Sequence, residues 1–293
     1  MARLKIISIF GGIISVLIMG TLTVYSAINT QSQDSQEPTI QGIILPHHLL
    51  VEKYIDEFYK LTAENRPDIK RIILLSPNHF LYGFDPIQST DKAFTPKNSP
   101  KLDTNFIKFL SKNTPLRIES KNFEKEHGIM VELPFIKKYF PKAKVVPITL
   151  KNKISQLHLD KLVKEISKQN LSNTLIIASI DFTHYEPESV ALKNDNAIIT
   201  WLKTWQEKDQ KDAFTAIKNL AKSGAALTRS AVAIDSPESF YVMVKLMENL
   251  KTKNMTLWKR TSSASLLNNT DPLQNTSHLF IKFENGQTIE IKK

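Results

Sequence analysis

The stretch GIILPHHLL, residues 42–50, carries two consecutive histidines directly after an apolar run. The same arrangement recurs in RIILLSPNHF, residues 71–80, and, with an added carboxylate, in TLIIASIDFTHY, residues 174–185. Runs in which both odd and even positions are apolar are typical of central strands covered by helices on both faces. Ligands of open α/β sheets bind outside the carboxyl ends of such strands. The three stretches therefore predict an imidazole-rich site at one edge of a parallel sheet.

Strand-like and helix-like patterns alternate over most of the chain. Strands are predicted at 42–46 and 70–76 and in the runs AKVVPITL and TLIIASI, and HLFIKFENGQTIEIKK predicts an antiparallel hairpin around Asn-Gly. Helices are predicted at 49–64, 103–112, 129–140, 155–169, 190–206, 209–222 and 237–251. This pattern favours an α/β fold over residues 40–293: a single three-layer domain with a mixed, mainly parallel sheet flanked by helices.

The amino-terminal segment predicts a membrane anchor. MARLK supplies two positive charges, and residues 6–28 contain no charged side chain. At about 1.5 Å per residue, such a helix covers a hydrocarbon core of about 30 Å. We interpret residues 1–28 as an uncleaved transmembrane helix rather than a cleaved signal segment, and the polar residues 29–39 as a flexible linker. The positive-inside tendency then places the domain outside the cytoplasm, at the cell surface or in the periplasm.

Composition narrows the classes of partner and ligand. Lys and Arg number 39 against 29 Asp and Glu, but the excess is mostly lysine and is scattered along the chain. A dense basic cluster interleaved with aromatic residues is missing from the sequence, so we expect no nucleic-acid partner. The chain has no cysteine. This excludes disulfides, thiolate metal ligands and a cysteine nucleophile, so any metal must be held by nitrogen and oxygen.

Four candidate residues follow predicted strands, and a fifth opens a helix. They are His47, His79, Asp181, His184 and, in FEKEHGIM, His127. Each also has a structural reading, because a histidine after a strand is often only a hydrogen-bonding residue, and Asp181 could cap a turn. His48 is expected to be a packed or solvent-facing neighbour of His47. His158 and His278 are expected at the surface.

Two imidazoles and a carboxylate form a donor set that suits a divalent transition metal. Such sets leave coordination positions open for substrate, as in non-haem iron sites and catalytic zinc sites. A further histidine can act as acid or base because its ordinary pKa lies near neutrality. Spacing alone does not choose the metal.

Six pieces of the chain, taken in order, resemble the Memo-like family, also called AmmeMemoRadiSam system protein B. They are ILPHH (44–48), ILLSPNHF (73–80), FTPKNSPKLD (94–103), EHGIMVELPFI (126–136), VVPITL (145–150) and IIASIDFTHY (176–185). The family fold is similar to that of the class III extradiol ring-cleaving dioxygenases. The resemblance covers roughly residues 42–250, and it implies a site built from His47, His79, Asp181 and His184, with His127 nearby.

The chain departs from the family pattern at three places. PHHL stands where members have Pro-His-Ala-Gly or Pro-His-Gly-Gly, and Met130 replaces an expected glutamate. In AVAIDSPESF, residues 231–240, Ala233 takes the place of a cysteine found at the family's metal site. Asp235, two residues on, has two readings. It could restore a two-histidine, one-carboxylate set, or it could cap the helix that begins near Pro237.

The residues and the resemblance together yield a working hypothesis. His47, His79 and Asp235 bind a divalent metal, which we expect to be Fe(II), with zinc or copper as alternatives. His127 and His184 act as acid/base or substrate-orienting groups, and Asp181 orients His184. The reaction would be dioxygenase-like oxidation of a small-molecule substrate. Two alternatives stay open: a non-catalytic metal-binding or scaffold module, which the loss of the glutamate and the cysteine favours slightly, and a metal-dependent hydrolase.

Overall fold

The apolar stretches that carry the histidines form neighbouring strands in the middle of a large sheet. A computed structural model describes residues 39–94, 99–205, 212–223, 231–252 and 254–286. The strands of the large sheet are β1 Thr39–Leu45, β2 Arg71–Pro77, β3 Ile87–Ser89, β4 Arg117–Ile118, β5 Lys144–Leu150, β6 Thr174–Ser179, β9 Asn254–Ser262 and β10 Ser277–Asn285. A separate pair consists of β7 Phe182–His184 and β8 Val232–Ile234.

The order of strands in the sheet is β4-β3-β5-β2-β6-β1-β10-β9. The central strands β5, β2, β6 and β1 are parallel, whereas β10 runs antiparallel to both β1 and β9. This confirms the predicted mixed sheet with a mainly parallel centre. The strand β6 lies between β1 and β2, although it follows them by about 100 residues in the chain.

Helices cover both faces of the sheet. They are α1 Glu52–Asn65, α2 Thr104–Asn113, α3 His127–Met130, α4 Glu132–Tyr139, α5 Gln156–Ser167, α6 Glu188–Trp205, α7 Ala213–Leu220, α8 Pro237–Asn249 and α9 Ser263–Leu267. Successive side chains of β1 alternate between two cores. Ile43 and Leu45 pack with α1 and α4, whereas Ile44 packs with α5 and α8. Burial on both faces explains why these strands are continuously apolar.

Some elements differ from the sequence prediction, and one lies outside the described residues. The helix expected at 129–140 begins earlier, at His127, and is divided into α3 and α4. The strand β9 was missed because it is half-buried along most of its length and so carries no apolar run. The partner expected for β10 in an Asn-Gly hairpin, residues 287–293, lies outside the described residues.

The predicted anchor at 1–28, and the linker at 29–39 apart from Thr39, also lie outside the described residues. Thr39 itself begins β1. The division into anchor, linker and domain therefore stays a prediction. Among the helices that the structure describes, none combines the length and the apolar character needed to cross a membrane.

Candidate metal centre

The order of the parallel strands determines which loops meet. Ala178 of β6 is in register with Ile44 of β1 on one side and with Leu75 of β2 on the other. The loops after these three strands therefore leave the same edge of the sheet side by side. They carry His47, Asp181 and His79, so the predicted imidazole-rich edge exists.

Three histidines converge at this edge. One ring nitrogen from each of His47, His79 and His127 lies within 4.8 Å of the others. The rings of His47 and His79 have centroids 5.0 Å apart, and His127 stacks on His79 at 3.8 Å. His127 opens α3, whose Gly128 lies so close to Ser76 that a Cβ at this position would collide with the Ser76 hydroxyl. The close packing of α3 against β2 thus brings His127 to the other two rings.

Asp235 supplies a carboxylate between the two strand-end histidines. Its Oδ2 lies 3.4 Å from Nε2 of His47 and 3.7 Å from Nε2 of His79, and its Oδ1 is buried without a hydrogen-bond partner. Asp235 is not the helix cap that the sequence allowed, because Ser236 accepts the Ser239 N–H and caps α8. The pairing of β8 with β7 holds Asp235 beside Asp181.

A buried chain of hydrogen bonds orients His47. Tyr59 and Ser179 both donate to Glu132, at 2.8 Å and 3.3 Å, and the Ser179 oxygen lies 3.1 Å from Nδ1 of His47. The Ser179 hydroxyl therefore joins Glu132 to the His47 ring, and Nε2 of that ring faces Asp235. Burial raises the pKa of Glu132 to about 8, although the two hydrogen bonds oppose the shift.

Glu126 holds His79 in the same way. Its carboxylate accepts the backbone N–H of His79 at 2.9 Å and contacts Nδ1 at 2.6 Å, and it also caps α3 through Gly128. Burial alone would lower the pKa of His79, but hydrogen bonds and charges of Asp235 and Glu126 outweigh it and raise the pKa to about 10. The two carboxylates favour a proton on His79. They would equally favour a metal cation in place of that proton.

The donor set fits a divalent metal. The Nε2 atoms of His47 and His79 face one oxygen of Asp235, and a divalent cation bound between them would displace the proton that this carboxylate favours on His79. A metal about 2.1 Å from each ligand would hold the ligand atoms about 3–3.5 Å apart, close to the separations seen here. Each histidine also has a partner on its other nitrogen, as metal-ligating histidines usually do.

His127 differs from the other two histidines because it is half exposed, at 47% of its side chain. Burial and the charges of His79 and His47 lower its pKa to about 4. The ring is therefore neutral at pH 7 and can accept a proton. The ring lies within reach of a metal but also faces solvent, so its geometry is compatible both with metal ligation and with acid/base catalysis.

Asp181 lies directly against His47. Asp181 accepts the backbone N–H of His47 at 3.1 Å, and its Oδ2 lies 3.6 Å from Nε2 of that ring. In the described part of the chain, His184 makes no hydrogen bond to Asp181, and its buried Nδ1 has no partner. The acid/base roles of His127 and His184, and the orienting role of Asp181, stay predictions.

The expectation for His278 was wrong. Its side chain is completely buried, whereas His158 is exposed as expected. His278 lies on β10, which is covered on both sides by β1 and β9. Burial lowers its pKa to about 4; the charge of Asp181 opposes this, and the charges of His48 and His184 add to it. The signal in the sequence was the apolar run that follows, LFIKF, which is typical of a buried strand.

Sequence reasoning also missed three supporting residues: Glu126, Glu132 and Ser179, all fully buried. Glu126 directly precedes His127, but nothing in the sequence connects it with His79, 47 positions away. Ser179 ends an apolar strand and carries no distinctive spacing. The signal for Glu132 was its spacing, because it lies on the same face of α4 as the apolar Phe135 and Ile136.

The comparison with protein families identifies the family of the chain. The model of the "Memo-like protein" family matches residues 20–273. The chain belongs to the Memo-like family. A "MEMO1 family protein" of Nitrosopumilus maritimus is 31% identical over 55% of this chain and 59% of its own length. Another, of Saccharolobus solfataricus, is 30% identical over 48% of this chain and 51% of its own. The alignments thus span little more than half of these curated relatives.

A solved structure supports the fold of this Memo-like protein. The crystal structure of an uncharacterized protein from Escherichia coli K12 superposes with a TM-score of 0.54 and covers 83% of this chain and 99% of that one. The two sequences are 13% identical. The likeness therefore concerns the fold alone.

Replacing Glu132 tests the buried chain behind His47. Between pH 4.5 and 8 the folded carboxyl is protonated and the unfolded one is ionised, so unfolding releases a proton. Stability should therefore fall by up to about 1.4 kcal/mol per pH unit from this group alone. We expect Glu132→Gln to remove this dependence in urea unfolding at pH 5, 6, 7 and 8. Tyr59→Phe, which keeps the carboxyl, should retain it. Parallel pH profiles for wild type and Glu132→Gln would contradict the assignment.

Proposed function

We propose that this Memo-like protein holds one divalent transition metal through His47, His79 and Asp235. The observation that carries the proposal is the convergence of two Nε2 atoms on a single oxygen of Asp235, at 3.4 Å and 3.7 Å. The buried, unpartnered Oδ1 of Asp235 supports it further. In this chain Asp235 takes over the ligand role that the family's cysteine has elsewhere.

Two imidazoles and one carboxylate with open positions favour Fe(II), with zinc or copper as alternatives. When bound, such an ion supplies redox and Lewis-acid chemistry next to a substrate. The protein's own residues supply orientation. Glu126 and Ser179 fix the rings of His79 and His47 from behind, so that their Nε2 atoms need no reorganisation. His127, neutral and half exposed, accepts a proton from the substrate on the solvent side.

Apolar side chains on the loop after β2 favour a substrate with an aromatic or other flat apolar body. Phe80 is 46% exposed and Phe84 fully exposed. Phe80 stacks with Tyr82 at 5.7 Å and meets the His127 ring edge-on at 6.1 Å. Large exposed aromatic residues beside titratable groups are typical of ligand sites. We therefore propose dioxygenase-like oxidation of a small aromatic molecule.

The alternatives make different predictions for the same preparation. A metal-binding or scaffold module would bind the ion without turnover. Met130 in place of the family's glutamate favours this alternative, because an acidic group is lost from the helix that opens with His127. A hydrolase would need the same ligands and a metal-activated water. It would release product from generic esters or phosphate esters without consuming oxygen.

The location of the protein is also a proposal. The uncharged residues 6–28, preceded by two positive charges, would tether the domain to a membrane and leave it outside the cytoplasm.

Removing either strand-end histidine should abolish tight metal binding. We expect His47→Ala and His79→Ala to weaken Fe(II) or zinc binding more than about 100-fold, since loss of an outer partner alone costs 10- to 100-fold. Metal content and anaerobic titration measure this. The control is His158→Ala, which changes an exposed histidine on α5. Wild-type affinity in both strand-end variants would refute the proposed centre.

Replacing His127 separates acid/base work from metal ligation. We expect His127→Ala to keep the metal but to lower oxygen consumption with catechol-like substrates by about 100-fold, the usual contribution of a general acid or base. Loss of the metal would identify His127 as a ligand instead. Wild-type protein that binds metal yet neither consumes oxygen nor releases ester or phosphate products would favour the binding module.

The anchor is tested by fractionation. We expect the full chain to sediment with membranes and to resist extraction by high salt, because insertion of an apolar helix does not depend on charge. A chain that begins at residue 39 should stay in the supernatant. Both proteins in the supernatant would contradict the anchor, and protection of the membrane-bound domain from protease added outside would contradict its orientation.

A further inference from the structure

An open cavity of about 470 Å³ lies between the beginning of α1 on one side and α3 and α4 on the other. Sites for small molecules commonly measure about 300–1,000 Å³ and are mostly apolar with a few polar groups. One wall includes Met130, which ends the short helix α3 that His127 opens. None of the residues that line the cavity belongs to the proposed metal centre, so its function is a separate question.

The two walls of the cavity are stripes along helices, with the same order of side chains. They consist of Leu49, Glu52 and Asp56 on one side and of Met130, Pro134 and Lys138 on the other. Members of each stripe are three or four positions apart in the chain, a spacing that places them on one helix face. Both stripes begin with an apolar residue and end with a charged one. Apolar surface therefore gathers at one end of the cavity and charge at the other.

The apolar end suits the hydrocarbon body of a small molecule. Leu49 is 60% exposed, so contact with an occupant would remove apolar surface from water. Phe135 also lines the cavity, and its ring is nearly buried and stacks on Tyr59 with centroids 5.6 Å apart. This packing fixes the aromatic part of the wall before a molecule binds, so that little order has to be gained on binding.

The charged end offers one carboxylate without a counter-ion. Asp56 and Lys138 form an ion pair across the two walls at 2.7 Å, and the hydrogen bond from Lys138 lowers the pKa of Asp56. Their charges cancel. Glu52 is exposed and makes no ion pair in the part of the chain that the structure describes, since the adjacent Lys53 pairs with Glu57 instead. The cavity therefore carries one net negative charge, which favours an occupant with a positive one.

We propose that this cavity binds a small amphipathic amine. Its apolar body lies against Leu49, Met130 and Phe135, and its ammonium group contacts the carboxylate of Glu52. A neutral molecule would leave that carboxylate without a partner, and an anionic one would be repelled by it. The site does not depend on the metal centre, so failure of the proposed metal centre would leave the expectations for the cavity unchanged.

Three probes that share a naphthalene ring and differ in charge test this site. They are naphthylethylamine, naphthylethanol and naphthylpropanoate, and their dissociation constants with the full chain are measured at pH 7 by isothermal titration calorimetry. We expect the amine to bind about 5-fold more tightly than the alcohol, the effect of a favourable exposed ion pair, and the carboxylate to bind most weakly. Glu52→Gln should abolish the preference for the amine and leave the affinity for the alcohol unchanged.

Leucine variants locate the binding of the three probes. Leu49→Ser should weaken all of them by about 3-fold or more, because apolar contact is lost. The matched control is Leu157→Ser, at a leucine on α5 that is 75% exposed and lies outside the cavity, and it should change none of them. Leu49 and Glu52 are both exposed, so neither variant disturbs a core.

Four results would overturn the amine site. They are failure of all three probes to bind, equal affinity of wild type for the amine and the alcohol, an unchanged preference for the amine in Glu52→Gln, and unchanged affinities in Leu49→Ser. The last two would show that the probes bind elsewhere on the protein.

Discussion

The parallel pairing of β6 between β1 and β2 is the constraint on which the site depends. These three strands are continuously apolar because they are covered on both faces, and their register is held by two cores at once. Their carboxyl ends therefore lie in a row, and the polar residues that follow them must share one small space. His47, Asp181 and His79 are among those residues. The positions of the candidate ligands therefore depend on how the two cores pack against the sheet.

Opposite charges in the site also offset the effect of burial on most of its carboxyl and imidazole groups. Glu126 and Asp181 are buried, which alone would raise their pKa values, yet imidazoles beside them lower both. His79 is shifted in the opposite direction by its carboxylates. Glu132 is the exception: hydroxyls are its hydrogen-bond partners, and its pKa is raised. Charges in this interior are tolerated where a complementary charge lies within contact distance, which is the condition that a bound cation would extend.

Asp181 lies near four histidines. It accepts the backbone N–H of His47, and the charges of His47, His278, His184 and His48 act on it. His278 comes from β10, whose antiparallel pairing with β1 brings this buried histidine close to the end of the parallel strands. The mixed sheet thus places an imidazole from an antiparallel strand near a carboxylate that follows a parallel one.

The fold class and the principal strand-end residues could be read from the sequence because local patterns determine them. Strands that are apolar at both odd and even positions indicate helices on both faces of the sheet. Polar residues directly after such strands indicate a site at the edge where the strands end. The strand β9 and the burial of His278 could not be read in this way, since both depend on which strands become neighbours. The identity of the helix cap before α8 was likewise ambiguous, as Asp235 and Ser236 are both good caps.

The sequence by itself determined that an imidazole-rich edge exists and that sulfur takes no part in it. Only the tertiary structure decided that Asp235 faces His47 and His79, that Glu126 holds His79, and that Glu132 orients His47 through Ser179. The physical reason is distance along the chain. Hydrogen bonds between residues 47 to 134 positions apart leave no periodic trace, and they arise only when strand order and helix packing bring the partners together.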